Sequence, residues 1–560
     1  MKATIRAALL ASIAGLVAVP ALAQSGDAAT IAELRRQLDE MRRRLEQLEA
    51  RQAPATQAQA AQPARREARA ARAAPPVAAA PAAEAQAAAA EARAAAAEAR
   101  LARTELAEAE RARTAPIQGL EAPEAMGRDF VTEEALRSDL PGIAFRVPGT
   151  DTQVRLYGFA KVTTWSDFNA RNQSDAPAPS LIPLRGSRED LQGGDYGFAA
   201  RFSRFGVDSR TLTPWGTLET RIEGDFGGGA PTSSNALFRL RQAWAELGTE
   251  RFSVLIGQAN SLWNEGLFET MIDATNLNQS FIRQAQIRVS GRLAPGLQGQ
   301  FSIEAPETNV VSGAGTFNPG STVANGASPS FNSMPDFHGR LTYRNSGWEV
   351  GLRGMLRDLS FRPEGTGIAG DGQRRNTTGW GFALHGRMPL RAVWDGFGRD
   401  ELVAMGYYGE GIGRYFFGNT GGQDAVSNFG LPSARLGLSL DPLPTYGATI
   451  AYRRFWTDQL RSNFSYSWAR QDYPSYVQQF TPGSALARSL NREVQQVFAN
   501  IIWSPFATSR NGAFSQGWLD VGLEYLFTRR DIAGGGVAGG GAGQGTGIAN
   551  RLLFGAVARF

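Results

Sequence analysis

An all-β transmembrane barrel of about 16 antiparallel strands, preceded by an α-helical coiled coil and a low-complexity linker, is what three features of this 560-residue sequence predict. From residue 145 onward, polar and apolar residues alternate over segments of about ten residues, the length a tilted strand needs to cross a bilayer. Short turn signals such as TPWG, LGTE, LAPG and RNSG take turns with long connections rich in Gly, Asn and Ser. An export signal precedes everything.

That signal occupies residues 1–23. Lys2 and Arg6 lead an apolar run from Ala7 to Val19, and Ala21-Leu22-Ala23 reads as a cleavage site, so the mature chain is expected to start at Gln24. Past it, no uncharged apolar run approaches the ~18 residues a spanning helix needs. In residues 24–51, Ile31, Leu34, Leu38, Met41, Leu45 and Leu48 fall at alternating spacings of three and four, a coiled-coil seam flanked by Arg and Glu. About three heptads are marginal alone, so the chains must also be held together elsewhere. The rival, one helix folding back on its own domain, fits poorly with the Ala/Pro/Gln stretch that follows at once. Residues 52–144 read as a linker: Pro54, Pro63, Pro75, Pro76 and Pro81 defeat a continuous helix. An Ala-rich helical spacer then carries Glu84, Glu91, Glu98 and Glu105 at every seventh position. Acids and bases balance over residues 1–144, so the net charge of +5 arises downstream.

Residues 145–560 form the barrel domain. In TLETRIEGDF, Leu218, Ile222 and Phe226 share one face while Glu219, Arg221, Glu223 and Asp225 share the other. QIRVSGR, GWEVGLRGMLRD, RSNFSYSWAR and WLDVGLEYLF repeat the pattern. Strands are expected at 154–165, 199–212, 216–226, 237–248, 251–258, 283–294, 296–305, 336–345, 347–358, 377–389, 400–411, 445–456, 460–470, 491–503, 516–529 and 550–560. The count is even, as closure of a single-chain barrel requires, provided that ARLGLSLD at 434–441 stays in a loop. A soluble sandwich would alternate too, but aromatic residues cluster near the strand ends as membrane girdles do. RLLFGAVARF is the closing strand, with Leu552, Phe554, Ala556, Ala558 and Phe560 facing lipid. Small Gly158 and Ala160 mark the first strand as a subunit contact. The connection 260–279, mixing apolar and acidic residues, is expected to fold into the lumen, the rival being a cap over the mouth.

Composition narrows the chemistry. With no cysteine and two histidines, thiolate metal sites, cysteine nucleophiles and disulfides are excluded, and no metal, cofactor or nucleic-acid partner is expected. His338 and His385 share parity with Arg340 and Arg387 and lack a Ser-plus-acid arrangement in sequence, so they read as lumen residues and no catalytic residue is assigned. GYYGEGIGRY lacks the strand, loop and helix context of a nucleotide site. An energy-coupled transporter would need a plug domain and about 22 strands. Lys161, Arg204, Arg221, Arg239, Arg241, Arg288, Arg340 and Arg353 lie on polar strand faces. Facing lipid would cost about 2–4 kcal/mol for each at midplane, so they are expected to line the pore and attract anions. Asp208, Glu219, Glu223 and Glu304 cancel part of that charge.

PGTDTQVRLYGFAKVTTWSDF resembles the start of the barrel in the DcaP-like outer-membrane porin family, and RFSRFGVDSRT, IEGDFGG, LFRLRQAWAELG, VLIGQANSLW, FIRQAQIRVSG, SIEAP, PDFHGRLTYR, GEGIGRY, YRRFWTDQLRS and ANIIWSP are similar to it in the expected order. The resemblance implies a homotrimer with an N-terminal periplasmic coiled coil, passing small anionic solutes and dicarboxylates especially through the outer membrane of a Gram-negative bacterium. Terminal Phe560 resembles the signal read by the barrel assembly machinery. The alternatives are a tether between the barrel and peptidoglycan, or a barrel enzyme. The long Ala/Pro spacer and the loop DIAGGGVAGGGAGQG depart from the family.

Overall fold

The structure, a computed structural model, describes residues 142–560 with Ser138 and Leu140, apart from residues 173, 229–235, 267, 272–276, 324–325, 511–512, 516 and 535–544. The expected signal segment, coiled-coil seam and Ala-rich spacer lie outside the described residues.

Sixteen strands form one closed antiparallel barrel. They are β1 (Thr152–Asn169), β2 (Asp195–Ala199 continued by Arg204–Thr213), β3 (Gly216–Asp225), β4 (Arg239–Gly248), β5 (Phe252–Asn260), β6 (Arg283–Ala294), β7 (Leu297–Glu304) and β8 (Asp336–Asn345). The second half comprises β9 (Trp348–Phe361), β10 (Arg375–Pro389), β11 (Glu401–Glu410), β12 (Pro444–Phe455), β13 (Leu460–Gln471), β14 (Asn491–Trp503), β15 (Leu519–Ile532) and β16 (Thr546–Arg559). Each pairs with its sequence neighbour, and β1 pairs with β16 from Phe159↔Arg559 to Asn169↔Asn550. Closure leaves no edge strand, so the hydrogen-bonding groups of the wall are met within the sheet. No helix among the described residues is long and apolar enough to cross a membrane.

Alternation sets the two faces. Ile222, Ile287, Leu352, Leu356, Phe464 and Leu523 are exposed on the outside, while Glu223, Asp225, Gln286, Arg353 and Glu524 are buried inside. Outward aromatic rings gather at both ends. Trp215, Trp394, Trp456 and Trp518 mark the end with short turns. At the long-loop end Trp380, Tyr408, Tyr446 and Trp468 form a chain with centroid separations of 5.7, 5.9 and 5.7 Å. These are the girdles a bilayer-spanning barrel places at its two interfaces.

Two departures from the expected strands have local causes. The expected strand 199–212 is broken at 200–203, where Ser203 Oγ accepts the Lys161 backbone N–H at 3.0 Å and the chain detours to bring Arg201 to Asp175. ARLGLSLD stays out of the barrel as expected: Pro432–Arg435 makes a 3-10 turn, Leu436 is 95 % exposed, and Leu438 and Leu440 are buried in a cluster with Phe361 and Phe429. The short strand Ile143–Arg146, across the expected start of the barrel domain, doubles back and pairs with β1.

Phe560 ends the closing strand against Gly158, donating its N–H to the Gly158 carbonyl at 3.1 Å and accepting the Gly158 N–H at 3.3 Å. A Cβ at position 158 would lie 2.7 Å from the Phe560 ring and 2.4 Å from the Arg204 carbonyl. Only glycine fits there, which ties the small residue at 158 to closure.

Candidate functional site

The barrel interior is divided by a loop. The described residues of 261–282, between β5 and β6, lie inside the barrel along the wall formed by β7–β15 and the middle of β1. Trp263 packs edge-on to Tyr415 at 6.2 Å and Phe416 at 6.0 Å, under the Arg353 guanidinium. Glu524 accepts the Thr270 hydroxyl at 2.7 Å and the Met271 N–H at 2.9 Å. Further round, Gln496 accepts the Leu277 N–H at 2.9 Å, and Asn278 donates to the Ala448 carbonyl at 2.8 Å while accepting from Tyr407 at 2.9 Å. The expectation that this connection folds into the lumen is met by these contacts.

The described carboxylates of the loop point at the wall behind it. Glu265 pairs with Arg353 at 3.0 Å, and Glu269 pairs with Arg461 at 2.7 Å and Arg453 at 3.3 Å. Burial pushes the Glu265 carboxyl above its ordinary pKa despite Arg353. Burial also acts to raise Glu269, but the hydrogen bonds and charge of Arg461, with Arg453, outweigh it and hold that carboxyl below the ordinary range.

A second segment, 411–443, folds in beside the first. Phe416 stacks on Tyr407 with centroids 3.6 Å apart. The Tyr415 hydroxyl donates to Asp336 at 2.8 Å and meets His338 Nε2 at 3.1 Å. Arg357, fully buried, pairs with Asp336 at 2.9 Å and Asp424 at 2.7 Å and donates to the carbonyls of Gly411 and Glu307.

The wall of β1–β6 lies across from the loop and carries the open basic surface. Arg221 pairs with Asp208 at 2.7 Å, and Arg155 reaches the same carboxylate. Glu223 takes Arg241 at 3.1 Å and Arg204 at 3.4 Å, while Asp225 takes Arg239 at 2.6 Å together with Arg241. Arg283, at the start of β6, sits in the field of Arg204, Arg239, Arg241 and Asp225. Among the described residues no carboxylate comes within ion-pairing distance of it. Three guanidinium groups therefore share two carboxylates at this level, and Arg283 adds a fourth positive charge beside them. Toward the short-turn end the sign changes, with Glu219 opposite Glu246 across β3 and β4.

The eight cations expected to line the pore thus separate into groups. Arg204, Arg221 and Arg239 are partly exposed on the inner wall, Arg241 is held between its two acids, and Arg288 lies against Gln286 and the Asn260 carbonyl. Three need correction. Lys161 donates Nζ to the Met271 carbonyl at 2.7 Å, Arg340 donates to the Asn264 carbonyl at 2.9 Å, and Arg353, 1 % exposed, donates to the Trp263 carbonyl. All three face inward as alternation requires, but the loop covers them and they anchor it. Arg155 and Arg283 belong to the basic wall and were not among the expected residues. Arg155 has the parity of Lys161 and was legible; Arg283 has the parity of outward-facing Ile287 and was not.

His338 and His385 are each 1 % exposed, set against Glu304 at 3.7 Å and Glu349 at 3.5 Å. Neither has a serine at hydrogen-bond distance among the described residues. No group of three or more potential metal ligands occurs among them either.

A closed antiparallel barrel with inward-folded loops and a charged lumen is the architecture of outer-membrane channels. The outer membrane channel DcaP of Acinetobacter baumannii shares the fold, with a TM-score of 0.55 and 19 % identity over 73 % of this chain and 97 % of that one. The anion-selective porin from Comamonas acidovorans aligns more loosely, with a TM-score of 0.43 and 12 % identity over 73 % of this chain and 100 % of that one. No known family profile and no curated protein matches this chain.

Proposed function

We propose that this chain is a passive outer-membrane channel for small hydrophilic solutes, preferring anions and dicarboxylates among them. One observation carries the reading: the described carboxylates of the inward loop are turned to arginines behind it, while the facing wall holds Arg204, Arg239, Arg241 and Arg283 against Glu223 and Asp225. A lumen bounded by low-dielectric walls focuses that excess, attracting anions electrostatically. Guanidinium forks suit carboxylates, and several held apart suit a solute with two of them. The fold shared with a protein described as an outer membrane channel agrees with this reading.

We also propose a homotrimer whose N-terminal segment lies in the periplasm, with its subunit contact on the outer face of β1–β3. There Thr152 meets Thr211 at 2.9 Å and Ser209 meets Thr220 at 2.7 Å, and Thr164 and Ser166 share the face. Hydroxyls are poor neighbours for hydrocarbon and good ones for protein.

Selectivity is tested by reversal potentials in planar bilayers under a KCl gradient. The wild type should prefer chloride, and Arg283→Glu with Arg288→Glu should shift the potential toward cation preference. A cation-preferring wild type, or no shift in the variant, overturns the reading.

A further inference from the structure

A second basic chamber lies apart from this wall, at the long-loop end. A cavity of about 670 Å³ opens between the loop following β1 and the loop preceding β14. Its lining includes Arg171, Arg188, Arg488 and Arg530 but only one carboxylate among the described residues, Glu189. Arg171 is engaged by Asp195 at 3.3 Å. Arg530 donates to the Ser180 carbonyl and to Asn491, yet its Nε is buried without a hydrogen-bond partner and the charge of Arg488 stands nearby. Among the described residues no carboxylate reaches ion-pairing distance of Arg188, Arg488 or Arg530. On one side, exposed Leu181 and half-buried Pro183 offer an apolar surface.

Like charges gathered in a concave, partly desolvated space repel one another unless an anion joins them. The space far exceeds one inorganic ion, and its apolar side suits a carbon skeleton. We propose that this chamber binds an organic phosphate, the phosphate held by the Arg188, Arg488 and Arg530 guanidiniums and the organic body resting on Leu181 and Pro183. Guanidinium forks match phosphate oxygens bidentately, and the multiple charge of a phosphate answers a surplus of cations better than a single carboxylate does. Two sources share this chemistry: a phosphorylated solute approaching the channel, and the phosphorylated headgroup of a glycolipid beside it.

The test uses the full-length protein in detergent. Inorganic pyrophosphate is titrated in one arm, and micelles doped with diphosphorylated lipid A in the other. Saturable binding should weaken at least tenfold in Arg188→Glu with Arg488→Glu, and less in Arg188→Lys with Arg488→Lys, which keeps the charge and loses the fork. Loss in the pyrophosphate arm supports the site with a solute as its ligand; loss confined to the lipid arm supports it with a headgroup. Absence of saturable binding, or equal affinity of wild type and the glutamate variant in both arms, overturns it. Reversal potentials are read separately, so an anion-preferring channel without phosphate binding overturns the chamber alone, and a cation-preferring channel that binds phosphate overturns the selectivity reading alone.

Discussion

Arg357 shows at the scale of one residue why side-chain parity and function are different things. It faces inward as its position in GWEVGLRGMLRD requires, but it is buried between Asp336 and Asp424 and joins β9 to the second inward loop. Removing one partner of a buried ionic cluster leaves the others uncompensated, at a cost of about 3–5 kcal/mol. Arg357→Met should lower the urea midpoint of the detergent-solubilised barrel accordingly, and adding Asp424→Asn should recover part of the loss by removing one stranded charge. A midpoint unchanged by Arg357→Met would show that the cluster contributes little. Alternation placed Arg353, Lys161 and Arg340 on the correct face as well. It could not say what covers them, because the cover arrives from residues far away in sequence. Arg283 escaped for the opposite reason: at a strand end the periodicity no longer governs where a long side chain points.

At the scale of the element, strands were legible and loops were not. A bilayer-spanning strand must alternate along its whole length, and TLETRIEGDF or WLDVGLEYLF states that pattern locally. An inward loop has no period; its place is decided by partners such as Glu524 on β15 and Gln496 on β14, each more than 200 residues away. The mixture of apolar and acidic residues in 260–279 signalled burial, while the direction of its acids emerges only from Arg353 and Arg461. Glu269 makes that anchorage pH-dependent. Its pKa in the folded protein is depressed, so its contribution is fully present above the ordinary glutamate range and is lost as pH falls through the depressed value. Acidification from the ordinary glutamate range down through that depressed value should therefore loosen the loop and raise open-channel current noise. Glu269→Gln should be noisier already at neutral pH and respond less to acid. Traces recorded from neutral to acidic pH for both proteins decide this, and an identical acid response would remove Glu269 from the account.

For the whole molecule, the question is which part holds the proposed trimer together. The described barrel closes through β1 and β16 and packs its own loops into its lumen, so its wall satisfies its backbone within the sheet. A seam of about three heptads is marginal by itself and gains stability when something else raises the local concentration of its helices. The outer face of β1–β3, with its paired hydroxyls and small residues, can supply that contact over the height of a wall, whereas the seam offers one short stripe. It follows that the barrel contact should assemble the trimer and the coiled coil should follow. A mature chain lacking Gln24 to Glu134 should still migrate as an SDS-resistant trimer that dissociates on heating. Thr164→Trp with Thr220→Trp, which places bulk on the proposed contact and leaves the lumen untouched, should give folded monomers even with the coiled coil intact. Heat-modifiability of the monomer band separates that outcome from misfolding, since a folded barrel shifts in mobility on boiling and an unfolded one does not. A truncated protein that runs only as unheated monomer would transfer the assembly role to the N-terminal segment, and a tryptophan variant that stays trimeric would move the contact to another face of the barrel.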